Sequence, residues 1–415
     1  MKAVHELFLQ ALRASLDKKT VEWEAPMTTK QWQTLFELAA AHHVLPMICE
    51  AVLRSPSARQ ADQQIFQSVR QLVKQRVVLQ TVRTDALLKL LPELTSAGVT
   101  PLVVKGIICR ELYPNPDHRT SGDEDILIPE HQFALCHERL LAAGLVLTDA
   151  AQDMNAFEIS YDQPWSRLHI ELHKCLFSPK SDVYAGFNAY FEDVYRQSIA
   201  QTVHGVSVPT MNHTDHLFYL ICHSFKHFLH SGFGIRQVCD ICLYANAFGS
   251  RIDWTRIIKQ CEEIHADLFA VALFRIGEKY LTFRREDACF PEAWREISVD
   301  ETPMLEDLLE AGVFGSSSMS RMHSSNMTLH AVSGRKKGNQ SGSILRTVFP
   351  SAKDLSGRYP YLNGKAYLLP LAWADRILRY SREAVAGDSG NNAAESLKIG
   401  NQRIELLKLY GIIDR

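Results

Sequence analysis

The stretch VTPLVVKGIICRELYPNPDHRTSGDEDILIP, residues 99 to 129, decides how the rest of the chain is read. An apolar, β-rich run (Leu102, Val103, Val104) meets Lys105 and Gly106. A short helical piece and a polar loop follow, and a second strand begins at Asp123-Glu124-Asp125. Strand residues two apart share a face, so Asp123 and Asp125 are expected to project together while Glu124 points away. Two hard oxygen ligands of that kind suit a divalent cation.

Working outward, the sequence before this stretch is helical in texture from residue 1 to about 96, with breaks at 24–26 and 55–57. The longest segment ends at Gly98, a fitting helix terminator. Beyond Pro129, a helical run closing at Gly144 leads to β-like runs at 145–147, 155–161 and 166–176, the last two joined through Pro164-Trp165 as a hairpin. A helical piece near 184–197 and a strand around HGVSVPT complete a small α+β sheet domain. From Met211 the chain reads as helical again, apart from a long surface loop near 313–343 that is rich in Ser, Gly and Asn and includes Arg335-Lys336-Lys337. The expected division is therefore an N-terminal helical region (1–96), a sheet-bearing core (97–210) and a C-terminal helical domain (211–415).

Composition narrows the class. Hydrophobic residues make up 46% and charged residues 22% of the 415, as in globular proteins. The formal charge of −2 gives no global reason to expect a nucleic-acid partner. No apolar run is long enough for a membrane span. Nine scattered cysteines, an odd number set in apolar patterns, read as buried thiols in a reducing cytoplasm. Cys239 and Cys242 form a CxxC inside a helical pattern with no second ligand pair, so zinc is not expected there. The adjacent His42 and His43 cannot share a helix face and read as packing or surface residues.

Chemistry needs more than two carboxylates. The third candidate is Glu171 in LHIELH, where alternation puts His169, Glu171 and His173 on one face and Leu168, Ile170 and Leu172 on the other. If this strand lies beside that of Asp125, three carboxylates meet. Such a cluster suits two Mg²⁺ ions, with Mn²⁺ as an alternative, one activating an attacking oxygen and one clamping a triphosphate. The expected phosphate anchor is Lys105-Gly106 at a strand-to-helix turn, helped by Arg119 and Ser121 in the loop. Lys226, on the helical run HSFKHFLH, is a further candidate for the triphosphate. That run lacks the glutamate of a zinc protease motif, although His223 and His227 share a face. Arg236 and Asp240, four apart, are expected to pair with each other.

The order KG, then ELYPNPDHRTSGDEDILI, then the IELH strand resembles the DNA polymerase β-like nucleotidyltransferase superfamily, and more specifically the bacterial uncharacterised nucleotidyltransferases. HSFKHFLHSGFGIRQVCDI and FPSAKDLSGRYPYL are similar to the helical C-terminal half of that family, so the resemblance covers most of the chain. It implies a polymerase β-like palm between helical regions, and Mg²⁺-dependent transfer of an NMP from an NTP to a hydroxyl acceptor with release of pyrophosphate. The acceptor is left open among a small molecule, a sugar, a peptide and an RNA end. By resemblance Asp123 and Asp125 match the metal pair and Glu171 the carboxylate that helps activate the acceptor hydroxyl. One departure is plain: Gly106 is followed by Ile107, where many superfamily members carry serine or glycine. The alternatives are a catalytically silent nucleotide-binding scaffold or regulatory protein, and a toxin-like nucleotidyltransferase acting on RNA.

Overall fold

The computed structural model describes residues 2–230, 232–311, 324–325, 327–329, 331–333, 359–362, 365–373, 375 and 393–413. The chain divides into two compact units, Met1–Ser224 with Gly234–Gly312, and Phe225–Phe233 with Val313–Arg415. The boundary expected near residue 97 thus falls inside the first unit. The reason is α5 (Gln63–Ser96), which is tied to the sheet region by hydrogen bonds: Arg83 donates to the carbonyls of Ser121 and Arg167, and Gln80 Oε1 accepts from the Ser121 amide.

Four helices precede α5: α1 (Ala3–Leu16), α2 (Thr29–Ala41), α3 (Leu45–Val52) and the short α4 (Pro56–Arg59). Each start has a local cause. Thr28 and Gln31 form a capping box for α2, Ser55 caps α4 and Asp62 caps α5. The end of α5 is marked by Gly98 at φ 89°, a left-handed conformation that costs glycine nothing. His42 caps the C-terminus of α2 and His43 turns left-handed at φ 56°, so the histidine pair breaks a helix rather than lying on one.

The sheet has five strands in the order β1-β2-β5-β4-β3: β1 (Leu102–Val104), β2 (Glu124–Leu127), β3 (Val146–Leu147), β4 (Glu158–Gln163) and β5 (Leu168–His173). β2 runs parallel to β5, while the β1–β2, β3–β4 and β4–β5 pairs are antiparallel. This is a small mixed sheet in an α+β protein. Between β1 and β2 lies the short helix α6 (Gly106–Arg110), and α7 (Phe133–Ala142) follows β2. Where one last strand was expected there is a hairpin, β6 (Ile199–Val203) and β7 (Val206–Thr210), turned by His204-Gly205 with both residues at positive φ.

The two sheet faces differ because the sequence alternates. Ile126, Ile159, Tyr161, Leu168, Ile170 and Leu172 are fully buried on the core side, and the His137 ring of α7 meets the Tyr161 hydroxyl there. Asp125, Glu171 and His173 take the other side. Helices α8 (His213–Leu229), α9 (Ile235–Phe248), α10 (Trp254–Glu263) and α11 (Asp267–Tyr280) follow, with Cys239 and Cys242 buried as free thiols on α9.

In the second unit, Thr328 donates to the Leu229 carbonyl and Arg403 of the terminal helix Ala393–Leu409 donates to the carbonyls of Phe228 and His230. Much of the surface loop expected at 313–343 lies outside the described residues. Those within it at 324–325, 327–329 and 331–333 are helical, with Ser324, Ser325, Met327 and Thr328 buried and the Thr328 hydroxyl satisfied by the Leu229 carbonyl. Arg335, Lys336 and Lys337 lie outside the described residues. No described helix is long and apolar enough to cross a membrane.

Candidate active site

The register of β2 on β5 sets the site. Asp125 is the direct partner of Glu171 across the parallel pair, so the two carboxylates emerge on one face of adjacent strands. His173, two residues on, joins them: its Nε2 lies 3.0 Å from Asp125 Oδ1 and 3.7 Å from Glu171 Oε2. Ligand atoms of all three lie within 4.8 Å of one another. Asp123 stands half-buried one residue ahead of β2 and outside that trio, although its charge reaches Glu171. The condition set for Glu171, that its strand lie beside that of Asp125, is met.

Electrostatics at this face are unbalanced. Burial first, then the charges of Asp125, Asp123 and Glu158, push the Glu171 carboxyl up to about 7. Burial alone would also raise Asp125, but Lys105 and His173 outweigh it and hold Asp125 well below the usual carboxylate range. Lys105 Nζ sits 2.8 Å from Asp125 Oδ2 and 3.0 Å from His223 Nε2 of α8, with the Tyr219 ring centroid 5.9 Å away. Despite its burial, Asp125 keeps that ammonium charged far above the ordinary lysine range. One buried cation thus answers several carboxylates.

The turn carrying Lys105 is strained and anchored. Lys105 adopts φ 56°, ψ −115°, and Gly106 follows at φ 24°, conformations that ordinarily cost a side-chain-bearing residue free energy. His216 of α8 holds the turn: its Nε2 accepts the Lys105 amide at 3.0 Å, which leaves Nδ1 to face Thr210 Oγ1 at 3.5 Å. Burial lowers His216 to about 3, in keeping with a neutral ring.

The expected phosphate anchor is already engaged within the protein. The Ile107 amide at the start of α6 donates to Glu124 Oε2 at 2.9 Å. A Cβ on Gly106 would lie 1.9 Å from that same oxygen, so the glycine serves the close approach of an internal carboxylate. The other Glu124 oxygen takes Arg110, whose guanidinium also reaches Thr84 and Ser121. Ser121, expected at a phosphate, donates to Glu124 at 3.3 Å.

Arg119, also expected at a phosphate, is forked onto Asp240 through Nε (2.7 Å) and Nη2 (2.6 Å), with Nη1 3.3 Å from the Gly106 carbonyl. Asp240 further accepts from the Tyr113 hydroxyl at 2.7 Å. The expected Arg236–Asp240 pair gives way to this bidentate partner, and Arg236 donates to the Thr120 carbonyl instead. Lys226 lies on the last turn of α8, among the residues of the second unit.

Sequence reasoning left Arg110, His216 and Asp240 without their roles here and gave His173 no fixed one. Their partners lie up to 127 residues away, and only the charged Arg110 within an apolar run, GIICREL, hinted at a buried ion pair.

These elements define an α+β protein whose charged centre sits on the far face of a small mixed sheet from its apolar core. The family model for uncharacterised nucleotidyltransferases matches residues 28–282, more than half of the chain. The chain belongs to that family. No curated protein matches it. Among solved structures, an antigenic nucleotidyltransferase-like protein from Paracoccidioides brasiliensis is similar at 14% identity, over 50% of this chain and 95% of that one, with a TM-score of 0.30.

Proposed function

We propose that the protein is a polymerase β-like, metal-dependent nucleotidyltransferase that moves an NMP from an NTP to a hydroxyl acceptor and releases pyrophosphate. The observation that carries this reading is the in-register Asp125–Glu171 pair with His173, on the sheet face away from the core, in a chain of this family. The residues fit a divalent cation on their own chemistry: two carboxylates and an imidazole converge, and burial, followed by the charge of Asp125, raises Glu171 to about 7. Asp125, Glu171 and His173 would hold it, with Asp123 at the edge; Mg²⁺ is the first choice and Mn²⁺, which tolerates imidazole better, the second. A bound cation of this kind polarises phosphoryl oxygens and stabilises the charge of the leaving pyrophosphate.

The chain's own groups divide the remaining work. Glu171, with a carboxyl poised near neutrality, is the base for the acceptor hydroxyl. Lys105 is the cation that meets the triphosphate. Glu124, Arg110, Arg119, Ser121 and Asp240 hold the Lys105-Gly106 turn and the β2 lead-in in place. Free cysteines accord with a reducing cytoplasm.

The test incubates the protein with each α-labelled NTP, Mg²⁺ and a cell extract, beside Asp125→Asn. Labelled acceptor and pyrophosphate from the wild type, lost in the variant, are expected. Equal labelling by Asp125→Asn would remove Asp125 from the chemistry. The Lys105–Asp125 ion pair favours the second reading, a silent nucleotide-binding scaffold, because it neutralises Asp125 without a metal. NTP binding with no labelling would select that reading.

A further inference from the structure

A second site lies in the first unit, in a cleft of 680 Å³ walled by the ends of α1 and α3, by α5 and by residues 114–118. Five of its lining side chains are cations (Lys18, Lys19, Arg54, Arg70, Lys74) and one, Glu50, is a carboxylate. Glu50 is already engaged: both its oxygens accept from the Asn115 amide at 2.9 and 2.8 Å, and His118 Nδ1 lies 3.1 Å away. Lys19 has Asp17 at 3.8 Å. Lys18, Arg54, Arg70 and Lys74 form no ion pair with any described residue, and all four are exposed.

Helix electrostatics accounts for part of this charge only. Lys18, Lys19 and Arg54 follow the C-termini of α1 and α3, where cations are favoured by the helix dipole. Arg70 and Lys74 have no such reason. They sit in the N-terminal half of α5, the positive end of its dipole, and at i,i+4 they repel each other. No acidic residue occurs in α5 before Asp85. Lys18 itself, in the lining of the cleft, is held left-handed at φ 58°. Four like charges thus line one cavity with no ion-pair partner among the described residues.

We propose that this cleft binds a small, multiply phosphorylated molecule. Its volume falls within the roughly 300–1,000 Å³ of small-molecule sites. Its lining supplies Pro46, Leu53, Val73 and Val77 for apolar contact, but no Phe, Tyr or Trp on which successive bases of a nucleic-acid strand would stack. This cleft shares no lining residue with the Asp125, Glu171 and His173 cluster.

Inorganic tripolyphosphate is the probe, titrated calorimetrically into the full-length protein without divalent cations. Binding is expected in the wild type and in Asp125→Asn alike. Arg70→Ala/Lys74→Ala should weaken it by about tenfold or more, the scale of a lost charge-assisted hydrogen bond. Lys18→Ala/Arg54→Ala, at the ends of α1 and α3, should do the same, with unchanged thermal midpoints showing that both variants fold. Absence of binding in the wild type, insensitivity to both double variants, or loss in Asp125→Asn would each overturn the proposal. So would a single-stranded RNA oligomer that binds tighter than tripolyphosphate and loses that binding in the same variants.

Discussion

The two faces of β2 carry charge on opposite terms. On the core face, Glu124 is 3% exposed and fully accounted for, with one oxygen on the Ile107 amide and the other on Arg110 and Ser121. On the opposite face, Asp125 is as deeply buried, yet it shares one lysine with Glu171, Asp123 and Glu158 nearby. Neighbours in sequence thus serve different ends. A satisfied network fixes geometry, whereas an under-neutralised one stores a demand for positive charge that a ligand can meet.

The contrast is open to attack from its largest effect downward. Glu171→Gln should lower transfer by about 10²–10⁴, the range of lost general-base catalysis. Its stability should move the other way. Because folding raises the Glu171 pKa from 4.5 to about 7, the folded state holds the proton more tightly. That stabilisation is complete below about 4.5 and lost as pH rises through about 7. In EDTA, the variant should therefore match the wild type near pH 4 and exceed its melting temperature at pH 8. A variant that melts lower at pH 8 would show that Glu171 belongs to a balanced network after all.

On the other face, Arg110→Met strands a buried carboxylate and should cost about 3–5 kcal/mol in urea unfolding. Replacing both partners, as Arg110→Met/Glu124→Leu, should recover part of that loss. A single variant within about 1 kcal/mol of wild type would break the comparison from the structural side. The smallest effect belongs to His169→Ala. His169 meets Asp162 at 2.8 Å on a partly exposed stretch of β5, two residues from Glu171. Its loss should cost under about 1 kcal/mol and leave transfer unchanged, since exposed pairs contribute little. Lost activity there would widen the centre along β5.

The sequence was most legible where local periodicity carries the information. Alternation in LHIELH separated the core residues from His169, Glu171 and His173, and the apolar spacing marked the helices on either side of the sheet. It was less legible where charge type does not specify direction. Lys105, Arg119 and Ser121 all read as phosphate donors, but a cation binds whichever anion folding brings nearest. For Arg119 that anion is Asp240, 121 residues away; for Lys105 it is Asp125. Gly106 was noticed for a related reason, yet the anion approaching it belongs to the chain itself. Nothing in a linear reading distinguishes a glycine kept for a phosphate from one kept for a glutamate.

The parallel pairing of β2 with β5 also sets an order of events during synthesis. The hairpin partners are close in sequence, but Asp125 must wait for Glu171, and the Lys105 turn must wait for His216 and His223. Contacts of such long separation form late, after costly loop closure. A ribosome-bound chain that has not yet delivered α8 therefore holds only the parts of this charged centre.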